Sequence, residues 1–323
     1  MLVLGGYGEG IGLAADDGTI GVIPVDRPSY VVAGRDGKVL YAALERDNAP
    51  GGVLAFHPDG SPLAEESSGG EAPCHLALHP GGHWLFTANY GSGTVGVLPV
   101  YEDGGLGALH EAIAHIGSGP NPDRQEGPHV HQIVVDPSGR WVLAVDLGID
   151  QVVVYDFADG ELSRHGAFEC VPGTGPRHLA FSPDGNSAYI VGELDDSLTR
   201  CAWDAQTGTL TAEGRLRVLP ENVEVENFPA AVLVSPDGRF VYTTNRGHDS
   251  IAVVETAPFE LRTTVGCGGR WPRDAALSPD GKRLYVANQF SGDVAVFGFD
   301  NGIPVAEGEP LAFASATSVL PLR

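Results

Sequence analysis

The residues able to do chemistry in this chain recur at two kinds of position. One set follows a repeated proline at the start of an apolar run: His75, His129, His131, Arg177, His178 and Arg273. The other follows a second apolar run: Glu45, Asn89, Tyr90, Asp146, Glu193, Asn245, Arg246, Asn288 and Gln289. Guanidinium groups hold anions through charge-assisted hydrogen bonds. Carboxylates and imidazoles move protons. Arg177, Arg246 and Arg273 stand out because the chain has only 19 Lys and Arg against 42 Asp and Glu, a net charge of -23. Basic residues gathered in so acidic a chain predict a pocket for a small anion. The competing reading pairs each arginine with a neighbouring carboxylate, such as Glu193 or Asp146, and lets His75 and His178 cap strand ends.

The elements that carry these residues are copies of one unit. Gly173–Asp204 contains a short strand beginning at His178, the turn Pro183-Asp184-Gly185, a returning strand at Ala188–Gly192 and a third at Ser197–Trp203. The start of one antiparallel strand lies beside the end of the next, so Arg177, His178 and Glu193 share the rim opposite the turn. Related units run through Tyr30–Glu45, His75–Tyr90, His131–Leu147, Ala231–Arg246 and Asp274–Gln289. Their Gly-containing turns recur roughly every 45 to 55 residues, the spacing of four-stranded propeller blades. Six units are complete. The N-terminal LVLGGYGEGIGLAA and C-terminal TSVLPL are strand-like fragments that would share a seventh blade and remove the open edges. The expected fold is therefore an all-β, seven-bladed propeller forming a single domain over residues 1–323. Its two sets of polar residues would meet at one mouth of the central channel.

Other features receive structural roles. Trp84, Trp141, Trp271, Phe86, Tyr189, Tyr242 and Tyr285 should pack between blades. Asp36, Asp184, Asp237 and Asp280 belong to turns, where aspartate bonds the local backbone. The run HEAIAH, His110–His115, places its histidines five residues apart rather than the four of a helical zinc motif; it reads as an outer strand. Cys74, Cys170, Cys201 and Cys267 lie far apart, without a CxxC pair, and read as buried thiols. Gly117–Gly127 is a long coil of the kind that overlies a site. No nucleophile elbow, P-loop or dinucleotide fingerprint is present. The acidic balance speaks against nucleic acid and anionic membrane partners. No apolar run reaches the roughly 20 residues of a membrane helix, and the N-terminal residues lack a leader pattern, so cytoplasmic residence is expected.

At PHVHQ, GTGPRHLAFSPDG, GEL, NRGHDSI and WPRD, taken in that order, the sequence resembles the bacterial lactonase family of seven-bladed propellers. That family includes propeller-type 6-phosphogluconolactonases and the fungal carboxy-cis,cis-muconate cyclase. The resemblance runs from Pro28 to Phe299 and implies a cofactor-independent enzyme acting on lactones of anionic acids. It implies catalytic roles for Arg177, Glu193, Arg246 and one of His129 and His131. The expectation is hydrolysis of 6-phosphogluconolactone, with Glu193 as general base, Arg177 and a histidine on the oxyanion, and Arg246 and Arg273 on the anionic substituent. His75, His178, Asn89, Asp146, Asn245 and Gln289 complete the expected substrate contacts. The alternatives are a muconate-type cycloisomerase, a calcium-dependent lactonase using Glu45, Asn89, Asp146 or Asn245, and a non-enzymatic binding propeller. The arginines at the rim would repel a cation, so no metal is assigned.

Overall fold

A computed structural model describes residues 1–8, 10–15, 18–46 and 49–322. Every element named among them is a β-strand. They form seven antiparallel sheets, each a blade. Six blades are consecutive in sequence. The fourth, for example, runs Pro176–Phe181, Ser187–Gly192, Ser197–Asp204 and Thr209–Arg217. The seventh joins the chain ends as predicted: Ala316–Pro321 pairs with Leu2–Gly6, followed outward by Gly10–Ala14 and Ile20–Pro24. The innermost strands, from Pro28–Ala33 round to Ala316–Pro321, contact one another in a closed ring.

The repeated turns explain the hairpins. Gly37, Gly82, Gly139, Gly185, Gly238 and Gly281 all have φ between 68° and 79°, a region glycine enters without steric cost. The turn aspartates accept from the backbone N–H two residues on, at 3.1 Å for Asp36, Asp184 and Asp237 and 3.2 Å for Asp280. Apolar side chains of adjacent sheets interdigitate. Phe86 packs with Val142 and Tyr155, Trp141 with Leu179 and Trp203, and Tyr242 with Leu284 and Phe297. Burying a large side chain of this kind stabilises a fold by about 1.5–3 kcal/mol. Trp271 departs from the expected inter-blade role: it lies at the rim, stacked on the exposed Phe290 at 4.6 Å.

Candidate active site

One irregularity, repeated round the ring, builds the channel mouth. In the fourth blade Pro176 pairs with Gly192, but His178 pairs with Val191, leaving Arg177 as an extra residue. The same bulge leaves Ser29, Cys74, His131 and Arg273 unpaired in their blades. Alternation would send neighbouring side chains to opposite faces. A bulge lets both members of a pair face one way. Ser29 and Tyr30, Arg177 and His178, and Arg273 and Asp274 accordingly line one small central cavity, together with Glu45, Cys74, His131 and Thr317.

The bulge also separates the two histidines that simple alternation would place together. His131 is buried in the channel, whereas His129 precedes the strand and is half-buried on the rim. Tyr90 touches both, stacking on His129 at 4.5 Å and meeting His131 edge-on at 5.5 Å. Val130, not a proline, occupies the position of Pro176 in this blade.

The second set of predicted residues divides in two. One residue beyond the second strand, Tyr7, Glu45, Tyr90, Leu147, Glu193 and Gln289 each donate the backbone N–H to the residue just before the inner strand, at 2.9–3.2 Å. These, with Arg246, are the rim. Asn89, Asp146, Asn245 and Asn288 stand one residue earlier and are fully buried. Asn89 Nδ2 donates to Ser68 O at 3.0 Å, and Asn245 Nδ2 to Val218 O at 3.3 Å. Asp146 accepts from His129 N at 2.8 Å and Gly148 N at 3.0 Å, and its other oxygen faces His115 Nδ1 at 2.6 Å. The expected substrate contacts from Asn89, Asp146 and Asn245 are thus replaced by structural ones: these residues pin the rim backbone. Gln289 stays on the rim, and its buried Oε1 has no hydrogen-bond partner among the described residues.

Three guanidinium groups surround Glu193. Arg124 Nη2 donates to Oε1 at 2.6 Å. Arg246 Nη2 and Arg177 Nε lie 2.6 and 3.1 Å from Oε2. Both guanidinium groups are buried, so these ion pairs are shielded from solvent. Arg124 comes from the long coil between the second and third blades; only the length of that coil signalled its role. Burial alone would raise the Glu193 carboxyl, but Arg246, Arg177 and Arg124 together hold it at about 2. Burial, reinforced by Arg246, brings Arg177 down to about 9, where it remains charged at neutral pH. Arg177 Nη1 faces His178 Nε2 at 3.3 Å. A guanidinium only donates, so that ring nitrogen accepts. Burial and then Arg177 push His75 down to about 3 and hold His131 and His178 well below the usual imidazole range. All three imidazoles are therefore neutral at pH 7.

The expectation that Glu193 is the general base meets a physical obstacle. A carboxylate held near 2 is ionised under all ordinary conditions but is a poor proton acceptor, because proton transfer is best served by a pKa near the working pH. The predicted anion-binding arginines also divide. Arg273 donates through Nη2 to Tyr7 Oη at 2.7 Å, not to Glu193. Tyr7 in turn donates to both oxygens of Glu45, at 2.9 and 3.0 Å. Tyr7 belongs to the closing blade, whose rim register could not be read from a strand fragment alone.

A sequence model described as lactonase, 7-bladed beta-propeller, matches residues 17–312. The chain belongs to this lactonase family. It is 36% identical over 279 residues to the 6-phosphogluconolactonase of Bacillus subtilis, covering 84% of this chain and 79% of that one. Two solved structures superpose over nearly the whole length. A putative 6-phosphogluconolactonase of Bacteroides fragilis, 28% identical, gives a TM-score of 0.86 and covers 99% of this chain and 96% of its own. The periplasmic gluconolactonase of Pseudomonas aeruginosa, also 28% identical, gives 0.88 and covers 99% and 98%. Within this lactonase-family enzyme a wider concavity, about 710 Å³, lies elsewhere, between the turn ends of the first and second blades. Its charged residues, among them Arg35, Asp36, Lys38 and Asp103, are of both signs and mainly solvent-facing. Converging buried polar groups define an active site better than volume does, and those are at the channel mouth. Among the described residues, no group of three or more His, Cys, Asp or Glu side chains is arranged to hold a metal ion.

Proposed function

We propose that the protein hydrolyses the lactone ring of a small anionic sugar acid, with 6-phosphogluconolactone as the first-choice substrate. The observation that carries this reading is the convergence of Arg124, Arg177 and Arg246 on the single carboxylate Glu193 at one mouth of the channel. That leaves the cluster net positive within a chain of net charge -23. A phosphate or carboxylate arriving there meets guanidinium groups that outnumber the carboxylate they share. Arg246 and Arg124 hold the anionic substituent. Arg177, with the neutral imidazole of His131 beside it in the cavity, faces the charge that develops on the carbonyl oxygen. Glu193 keeps the like-charged guanidinium groups together when substrate is absent. Substrate that draws Arg246 and Arg124 away would restore part of its basicity.

The net reaction adds water. A bond forms between the water oxygen and the carbonyl carbon, the ring C–O bond breaks, and the ring oxygen takes a proton. The test is hydrolysis of 6-phosphogluconolactone above its spontaneous rate, with the open-chain acid identified as product. Carboxymuconolactone, offered in parallel, examines the cycloisomerase alternative. Turnover of the first and not the second supports hydrolysis. The reverse pattern, or no turnover of either, overturns the proposal.

A further inference from the structure

Across the channel from Glu193, a second carboxylate occupies the equivalent place in the first blade. Glu45 N bonds Arg27 O at 3.0 Å just as Glu193 N bonds Gly175 O at 2.9 Å. Its surroundings differ. No guanidinium makes a side-chain ion pair with it among the pairs seen in the described residues. The Tyr7 phenol bridges both its oxygens, and Arg273 donates to that phenol rather than to the carboxylate. Arg27 stacks over the Tyr7 ring at 4.4 Å and donates through Nε to the Glu45 carbonyl oxygen at 2.7 Å, so it fixes this corner through backbone and ring.

Glu45 shares the central cavity with His131, Arg177, His178, Arg273 and Asp274. The cavity volume, about 10 Å³, is on the order of what one water molecule needs. Its walls are polar, and they hold a carboxylate on one side and the proposed oxyanion groups on the other. Burial drives the Glu45 carboxyl upward, with Arg273 only partly opposing it. The remaining charged or titratable groups acting on this corner are Tyr7, Arg27, Tyr30, Cys74, Asp274 and Arg177.

Resting on the hydrolytic reading above, we infer that Glu45, oriented by Tyr7, is the carboxylate that takes the proton from the attacking water. The water oxygen bonds to the carbonyl carbon as its proton passes to Glu45, and the carbonyl oxygen becomes negative in front of Arg177 and His131. When the tetrahedral adduct collapses, the ring C–O bond breaks and the departing ring oxygen receives the proton from Glu45. Glu45 is left ionised for the next turnover. Tyr7 is a positioning residue in this scheme.

The test compares wild type, Glu45→Gln and Tyr7→Phe on 6-phosphogluconolactone, reading kcat, KM and the pH dependence of kcat. Glu45→Gln is expected to lower kcat by about 10²–10⁴-fold, to leave KM within about threefold, and to abolish the acid limb of the profile. Tyr7→Phe removes a hydrogen bond that favours the ionised carboxylate, so its acid limb should move to higher pH. Retention of kcat by Glu45→Gln, or an acid limb that survives in it, overturns the inference while leaving lactone hydrolysis intact. An acid limb that does not move in Tyr7→Phe overturns the role of Tyr7 and, with it, the scheme. Should wild type itself fail to open the lactone, the parent reading fails and takes this one with it.

Discussion

Glu193 and Glu45 occupy the same position of two blades, three apart around the ring, with the same backbone bond to the chain before the inner strand. Yet their environments are opposed. Arg124, Arg177 and Arg246 close on Glu193, and the carboxyl is held at about 2. Glu45 receives a phenol and is pushed upward, chiefly by burial. A pair of carboxylates driven apart in this way is how one site can bind charge and move protons at the same pH. The fold makes the positions equivalent. The neighbours make the environments different, and with them the roles proposed for the two carboxylates.

On the Glu193 side the largest expected effect falls on Arg177. Arg177→Lys keeps a charge but loses the planar fork, and turnover should fall by about 10²–10³-fold, as when one oxyanion donor is lost. Steady-state kinetics on the lactone, with a melting curve for the same preparation, separate this from unfolding. A variant that retained full activity would break the division of labour proposed for the two sides.

Stability should separate the carboxylates next. Glu193→Gln leaves buried guanidinium groups uncompensated, a change that costs about 3–5 kcal/mol. Glu45→Gln replaces a carboxylate whose ionisation burial already disfavours, and should change stability by less than about 1 kcal/mol. Guanidinium chloride unfolding at pH 7 measures both. Similar losses in the two variants would remove the contrast.

The acid side sharpens the same comparison. A carboxylate with a depressed folded-state pKa stabilises the fold above its unfolded value, and that contribution is lost as pH falls through the folded value. The difference in unfolding free energy between wild type and Glu193→Gln should therefore be full at pH 7. It should shrink below about 4.5 and vanish only once the pH is below about 2. A difference that stayed constant over this window would show that the guanidinium groups do not act on Glu193 as described. The smallest effect expected is that of chelation. Prolonged EDTA treatment should leave turnover unchanged, because guanidinium groups supply the positive charge. Loss restored by calcium or zinc would contradict this.

Much of this was legible in the chain itself. The Gly-containing turns marked the blades, and the orphan strands at the two ends marked the closure. Arg177, His178, Glu193 and Arg246 could be placed at one mouth because hairpin geometry brings strand starts and ends together. What could not be read was a one-residue offset. Only the structure shows the bulges that turn Arg177 and His178 to one face and separate His129 from His131. The same offset decides that Glu193 faces the channel while Asn89, Asp146 and Asn245, one step earlier, are consumed in holding the backbone. Arg124 and Tyr7 were hidden for another reason. They reach the site from a coil and from the closing blade, where no repeat fixes the register.

The central claim is that the arginines of the Glu193 side read an anionic substituent on a lactone. The most direct measurement is kcat/KM for 6-phosphogluconolactone against the same lactone without its phosphate, corrected for spontaneous opening. Two charge-assisted hydrogen bonds contribute about 1.5–3 kcal/mol each, so the phosphorylated lactone should be preferred by at least about 10²-fold. Equal values for the two lactones would contradict the claim.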